Sequence, residues 1–223
     1  RGLKIKIKIN VSLEEFFKAF KKKSLSLKIT KPQWIQKTVS WKRKYPIVLK
    51  EYRTQKKYVN PYIFMERLSK HLRKDDVVVA DSGAHLTWAI QSLKVRKKHR
   101  LFSAFGNSPM GYAFPAAIGA SIALNKKKII CIDGDGSIQI NIQELQTLVS
   151  NKLPIKIIII NNEGYGIIKQ FQELYLEKRY EAVDARKGVT NPNFSKIAKG
   201  YGIRYSEIKK NNEIDKILKK VLK

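Results

Sequence analysis

Two apolar runs constrain this chain more than any other feature. Residues 128–132 (KIICI) stop at Asp133-Gly134-Asp135-Gly136-Ser137, and residues 155–160 (IKIIII) stop at Asn161-Asn162-Glu163-Gly164. Runs this short and this uniformly apolar read as strands buried on both faces, and the segment between them is helix-like. Strand, helix, strand is the unit of a parallel sheet, so the expected class is α/β, a parallel sheet with helices on both faces. In such a unit both loops leave at the carboxyl edge of the sheet, where ligands bind. Asp135 and Asn162 then lie side by side in space, although they are distant in sequence.

That pair suits a hard divalent cation. Mg²⁺ takes oxygen ligands in near-octahedral geometry and usually shares its shell with phosphate oxygens. Asp135 offers a carboxylate, Asn162 a side-chain carbonyl, and Gly164 a backbone carbonyl. Gly134 and Gly136 let backbone N–H groups approach a phosphate with no Cβ in the way. Ser137 stands near a helix start and can donate its hydroxyl to the same anion.

With its spacing and both flanking runs, this stretch (GDGSIQINIQELQTL, then Asn161-Asn162) resembles the GDG…NN signature of thiamine diphosphate enzymes, closest to acetolactate synthase and related carboligases. The resemblance implies a diphosphate-binding domain that holds Mg²⁺ through Asp135, Asn162 and the Gly164 carbonyl. It places Ser82, Gly83, Ala84 and His85 over the diphosphate, with Ala84 standing where relatives carry glutamine. It makes Met110, in the segment Asn107-Ser108-Pro109-Met110-Gly111, the apolar wedge that bends the cofactor, with backbone near Asn107 and Ser108 meeting the aminopyrimidine. Gly136, Ser137, Tyr165, Gly166, Ile167 and Ile168 complete the cofactor contacts, and Phe171 stands near the place of a channel tryptophan. The implied chemistry is decarboxylation of a pyruvate-like 2-oxo acid and transfer of the two-carbon unit to an acceptor carbonyl; a simple 2-oxo acid decarboxylase is the alternative. The family's catalytic glutamate sits on a pyrimidine-binding domain of the same or a neighbouring polypeptide, and no glutamate here matches its motif. A homodimer or tetramer is implied, no turnover is expected of this chain alone, and FAD use is left open.

Composition bounds the remaining readings. The chain has 223 residues, 46 basic against 18 acidic, and a formal charge of +28. Such an excess raises nucleic acid as a partner. The lysines are spread through nearly every segment with no arginine stripe or aromatic-interleaved motif, so solvated faces are the preferred reading over a nucleic-acid-binding domain. One cysteine, Cys131, excludes an intrachain disulfide. No apolar span reaches 18 residues, so no membrane helix is expected, and the sequence reads as soluble and cytoplasmic.

In chain order, residues 2–10 alternate lysine and isoleucine like a half-buried strand. Ser12 to Glu15 form a capping box that opens a helix. Residues 1–25 are read as the end of a middle domain, 26–59 as a linker bearing Trp34 and Trp41, and 60–223 as the cofactor-binding domain without its last strand. A fragment of a longer protein and one half of a split enzyme both fit, with the fragment preferred. Within 60–223, Asn60-Pro61 starts a helix, residues 76–80 form a strand, and residues 112–124 form a small-residue helix. Residues 181–193 read as a mobile polar loop, residues 203–205 as a strand, and 194–201 and 212–222 as helices.

Overall fold

The computed structural model describes residues 4–24 and 31–223, in two compact units, 1–46 and 47–223. In the first unit α1 (Leu13–Ser24) follows the expected cap: the Glu15 backbone N–H donates to Ser12 Oγ at 3.2 Å, and Ser12 N–H returns to Glu15 Oε2 at 3.2 Å. Phe16 and Phe20 stack with ring centroids 6.0 Å apart. α2 (Pro32–Lys44) carries Trp34 and Trp41 edge to face at 5.7 Å. The strand expected over residues 2–10 is not formed by its described part, since residues 4–10 are exposed and lie in no ladder. An alternating segment needs a neighbouring strand to pair with, and none of the described residues of this unit supplies one. Gly2 and Leu3, and the linker residues 25–30, lie outside the described residues.

The second unit opens with α3 (Lys50–Thr54) and α4 (Pro61–His71). Asn60 caps α4 as its sequence implies, its side-chain oxygen accepting from the Tyr62 and Ile63 N–H groups at 3.0 and 3.2 Å. α3 is fastened to α4 by a two-pronged Arg53–Glu66 pair at 2.7 and 2.9 Å. Then follow β1 (Val77–Ala80), α5 (Ala84–Ser92), β2 (Arg100–Phe102), α6 (Ala113–Ala123) and β3 (Ile129–Gly134). A 3₁₀ turn (Ile138–Asn141) leads to α7 (Glu144–Ser150), β4 (Ile155–Ile160), α8 (Gly166–Tyr175), α9 (Phe194–Gly200) and α10 (Ile214–Val221). Residues 203–205, expected as a strand, have no ladder partner and run as irregular chain.

The four strands are all parallel, in the order β2-β1-β3-β4. Side-chain alternation divides the core into two layers. Val78, Ala80, Ile130 and Ile132 face α4, α5 and α10 through Ile63, Leu68, Ala89 and Leu218. Val77, Val79, Ile129 and Cys131 face α6 and α7 through Phe114, Ala117, Leu145 and Leu148. After β1 the chain goes to β2 on one side and returns past β1 to β3 on the other. The carboxyl ends of β1 and β3 therefore flank a topological switch point, the place where parallel α/β sheets form crevices.

Candidate diphosphate and metal site

One cleft lies at that switch point. It is lined by Ser82, Gly83, Ala84, His85, Met110, Asp135, Gly136, Ser137, Asn162, Gly164, Tyr165, Gly166, Ile167 and Ile168. Every candidate named from the sequence for the cofactor is among them except Asn107 and Ser108. Ser108 stands one step behind, its hydroxyl donating to Ser82 Oγ at 3.1 Å. Gly134, read from the sequence as a phosphate-approach glycine, also lines the cleft, as do Trp88 and Ile160, which were not anticipated. Trp88 lies three residues after His85 on α5, one helical turn on, and that spacing was the available signal.

Asp135 is 2 % exposed, and four N–H groups hold its carboxylate. Gly136 N–H donates to Oδ1 at 2.9 Å. Asn162 N–H, Gly164 N–H and the Asn191 side-chain amide all donate to Oδ2, at 3.1, 3.2 and 2.6 Å. Oδ1 is thus the oxygen turned toward the Asn162 side chain, which in turn reaches the Gly164 carbonyl. One terminal atom of the Asn162 carboxamide lies 3.3 Å from Asp135 Oδ1 and 2.9 Å from Gly164 O. With nitrogen there, it donates to both. With oxygen there, three oxygens converge, and adjacent ligands on an octahedral Mg²⁺ with bonds of about 2.1 Å stand about 3.0 Å apart. The donor set and its spacing therefore fit a Mg²⁺ ion. Glu163, at φ 62°, makes the tight turn that carries Gly164 back to Asp135.

The diphosphate side fits as well. Gly83 has φ 144°, and a Cβ on it would lie 2.7 Å from the His85 ring. A Cβ on Gly136 would enter the Tyr165 ring. His85 is 5 % exposed, and its Nε2 has no hydrogen-bond partner. Burial pushes its pKa down against the pull of the nearby Asp81, so at pH 7 the ring is neutral. No lysine or arginine occurs in the loops at this edge, residues 81–83, 103–112, 135–143 and 161–165. These four loops therefore offer an anion backbone N–H groups and no side-chain cation.

Beneath the cleft, Asp81, His85 and Asp133 bring ligand-type atoms within 4.8 Å of one another, all buried. This is a second arrangement with the composition of a metal site, and its chemistry argues for a structural floor instead. Asp81 already accepts from the backbone N–H groups of Ser82, Gly111 and Ala113 at 2.8, 3.1 and 2.6 Å. Through Gly111 and Ala113 it fixes the turn that carries Met110, and the Asn141 side chain donates to Gly111 O at 2.6 Å from the opposite side. Burial, with Asp81 adding to it, pushes the Asp133 carboxyl up to about 8, so it is a neutral acid at pH 7.

Residues 181–193, expected as a mobile loop, are built into the site. Val183 is 1 % exposed and accepts from Tyr165 N–H at 2.8 Å, and Gly164 bridges Asp184. A Cβ on Gly164 would collide with the Val183 carbonyl, which accounts for glycine there. Asn191 reaches Asp135, a contact across 56 residues for which the sequence carries no local sign. Phe171 is 54 % exposed on α8, and its ring lies 4.9 Å from that of Tyr175.

Residues 81–223 match the family described as thiamine pyrophosphate enzyme, C-terminal TPP binding domain. The chain is 36 % identical over 190 residues to the acetolactate synthase large subunit of Porphyra purpurea, covering 85 % of this chain and 31 % of that protein. It is 34 % identical over 190 residues to the mitochondrial acetolactate synthase catalytic subunit of Saccharomyces cerevisiae, covering 84 % and 27 %. With the acetolactate synthase isozyme 2 large subunit of Escherichia coli the figures are 32 % over 160 residues, 72 % and 29 %. The chain thus spans less than a third of the length of each of these relatives. By its switch-point cleft, its glycine-lined loops and these matches, it belongs to the thiamine pyrophosphate enzymes, as an acetolactate synthase-like C-terminal cofactor-binding domain.

Proposed function

We propose that this chain is the diphosphate- and metal-holding part of a Mg²⁺-dependent acetolactate synthase-like enzyme. That enzyme decarboxylates a pyruvate-like 2-oxo acid and joins the two-carbon unit to an acceptor carbonyl. The observation that carries the reading is the Asp135–Asn162–Gly164 oxygen set, spaced as octahedral ligands and backed by four N–H groups on one carboxylate. Asp135 Oδ1, the Asn162 side-chain oxygen and Gly164 O would hold the ion. His85 Nε2 and the glycine-flanked backbone of residues 82–85 and 135–137 would hold the diphosphate. The cofactor, when bound, supplies the carbanion-stabilising chemistry. The chain's own part is to bind, orient and desolvate.

Met110 stands on the cleft wall, braced through Gly111 by Asp81 and Asn141, where a rigid apolar side chain can fix the bend of a two-ring ligand. Ile167 and Ile168 open α8 beside it and keep the wall apolar and dry. In this reading a pyrimidine-binding domain, on the same or a neighbouring polypeptide of a homodimer or tetramer, completes the site and brings the glutamate. Among the described residues no helix is long and apolar enough to cross a membrane, and a cytoplasmic place is part of the proposal.

The test is a calorimetric titration of thiamine diphosphate into the 223-residue chain, first with Mg²⁺ and then with chelator. Saturable binding that disappears with the metal is expected. Binding of equal strength in chelator would sink the metal assignment.

A further inference from the structure

Asn191 lies in a loop far from the metal-binding turns in sequence, and its carboxamide makes three hydrogen bonds to them and to the segment between them. Its Nδ2 donates to Asp135 Oδ2 at 2.6 Å and to Asn161 Oδ1 at 3.3 Å. Its Oδ1 accepts from Gln139 Nε2 at 3.1 Å, and Gln139 also donates to the Asp135 backbone carbonyl at 2.9 Å. One amide thus joins the turn after β3, the turn after β4 and the 3₁₀ segment. Its bond to Asp135 is the shortest of the four that this carboxylate accepts.

We propose that Asn191 is a positioning residue that sets which metal the site takes, by holding Asp135 to one-oxygen ligation. The inference rests on the metal assignment above. With three N–H groups on Oδ2 and only the Gly136 N–H on Oδ1, Oδ1 is the oxygen with a lone pair left for a cation, and a carboxylate held that way suits compact octahedral Mg²⁺. Without the Asn191 amide, Oδ2 keeps two longer backbone bonds and the carboxylate is free to turn. It can then present both oxygens, the mode used by Ca²⁺, which takes six to eight oxygens at about 2.3–2.6 Å. Groups that orient a ligand from behind typically govern metal affinity by about 10- to 100-fold.

The test compares Mg²⁺ and Ca²⁺ binding by the full chain at saturating thiamine diphosphate, by calorimetry and by the fluorescence of Trp88 in the cleft. Asn191→Leu keeps the branching and heavy-atom count of the side chain and removes the donor; Asn191→Ser, smaller and polar, serves if leucine does not fit. The expected result is a Mg²⁺ dissociation constant raised about 10- to 100-fold, with that for Ca²⁺ changed less than about threefold, so that selectivity narrows. A purely structural role would lower the melting temperature in chelator and leave the Mg²⁺/Ca²⁺ ratio at the wild-type value, and that outcome overturns the proposal. Wild-type chain that takes up neither ion would instead remove the metal assignment, and the inference with it.

Discussion

Asp135→Asn separates the metal role of this residue from its structural one. The wild-type carboxylate accepts four N–H bonds, one on Oδ1 and three on Oδ2. An asparagine of the same shape places its oxygen toward the three donors and its NH₂ toward Gly136 N–H, the Asn162 side chain and Gly164 O. One charge-assisted bond, worth about 1.5–3 kcal/mol, is lost and the other three weaken to neutral strength. A new donation to Gly164 O returns about 1 kcal/mol. The net cost is about 4 kcal/mol, or about 8–16 °C in melting temperature for a chain of this size. Alanine would instead strand all four donors, so its loss of binding would mean less. Metal binding has no such compensation, because the new NH₂ occupies the ligand position and carries no charge. Calorimetry with Mg²⁺ and thiamine diphosphate should show binding reduced by at least about 100-fold, while circular dichroism shows a folded chain. A variant that melts as expected and still binds within about threefold of wild type would refute the placement of the metal.

Two further outcomes follow from single contacts. His85→Leu removes a buried nitrogen with no partner, so it should stabilise the chain without cofactor by about 1 kcal/mol, or about 2–4 °C in melting temperature. It should also weaken thiamine diphosphate at least about tenfold, and a variant that binds normally would show that Nε2 never meets the ligand. Glu66→Gln tests the clamp that holds α3. The Arg53 guanidinium holds the Glu66 carboxyl below its ordinary value, so its contribution is present above the unfolded pKa of about 4.3 and fades as pH falls through the lower folded value. The pair is partly exposed and worth up to about 1 kcal/mol. Melting curves should differ by a few degrees at pH 7 and coincide near pH 3, and a gap that persists in acid would mean that packing, not charge, is lost.

The parts legible in the sequence were those in which one local rule decides. Two runs of isoleucine (Ile129–Gly134 and Ile155–Ile160) have the length and branching of strands; the first is fully buried inside the sheet, while the second, expected to be as buried, forms its edge and is only partly covered. Glycines on either side of Asp135 leave little other use for a turn between strand and helix. Asn60 before Pro61 starts a helix wherever it stands. What was hidden depends on distant partners. Residues 4–10 alternate correctly but have no strand to pair with, and β2 is too short, at three residues, to carry a pattern. Asp133 ends an apolar run and reads as the first loop residue, yet it is fully buried because β3 extends two residues further. Asn191 sits in an Asn-Pro-Asn stretch that reads as a turn, and only the folding of residues 183–184 against Gly164 and Tyr165 brings it to the metal loops.

The charge of the chain gives two opposed accounts of how an anion binds, and one experiment divides them. The loops that enter the strands at the amino edge, residues 72–76, 93–99, 124–128 and 151–154, hold ten lysines and arginines, while residues 81–83, 103–112, 135–143 and 161–165 at the carboxyl edge hold none. A general attraction of anions to a +28 surface acts over the Debye length, about 10 Å at 0.1 M salt and about 3 Å at 1 M, and fades as salt is added. A divalent ion seated against Asp135 acts at bond distance inside a buried site, where salt screens little. Thiamine diphosphate binding should therefore change only severalfold between about 0.05 and 0.5 M salt. It should be lost on adding chelator at either concentration. The opposite pattern, with binding lost to salt and indifferent to chelator, would assign the affinity to the amino-edge surface. It would also revive polyanion binding as the function of the charge, with a salt slope that counts the lysines engaged.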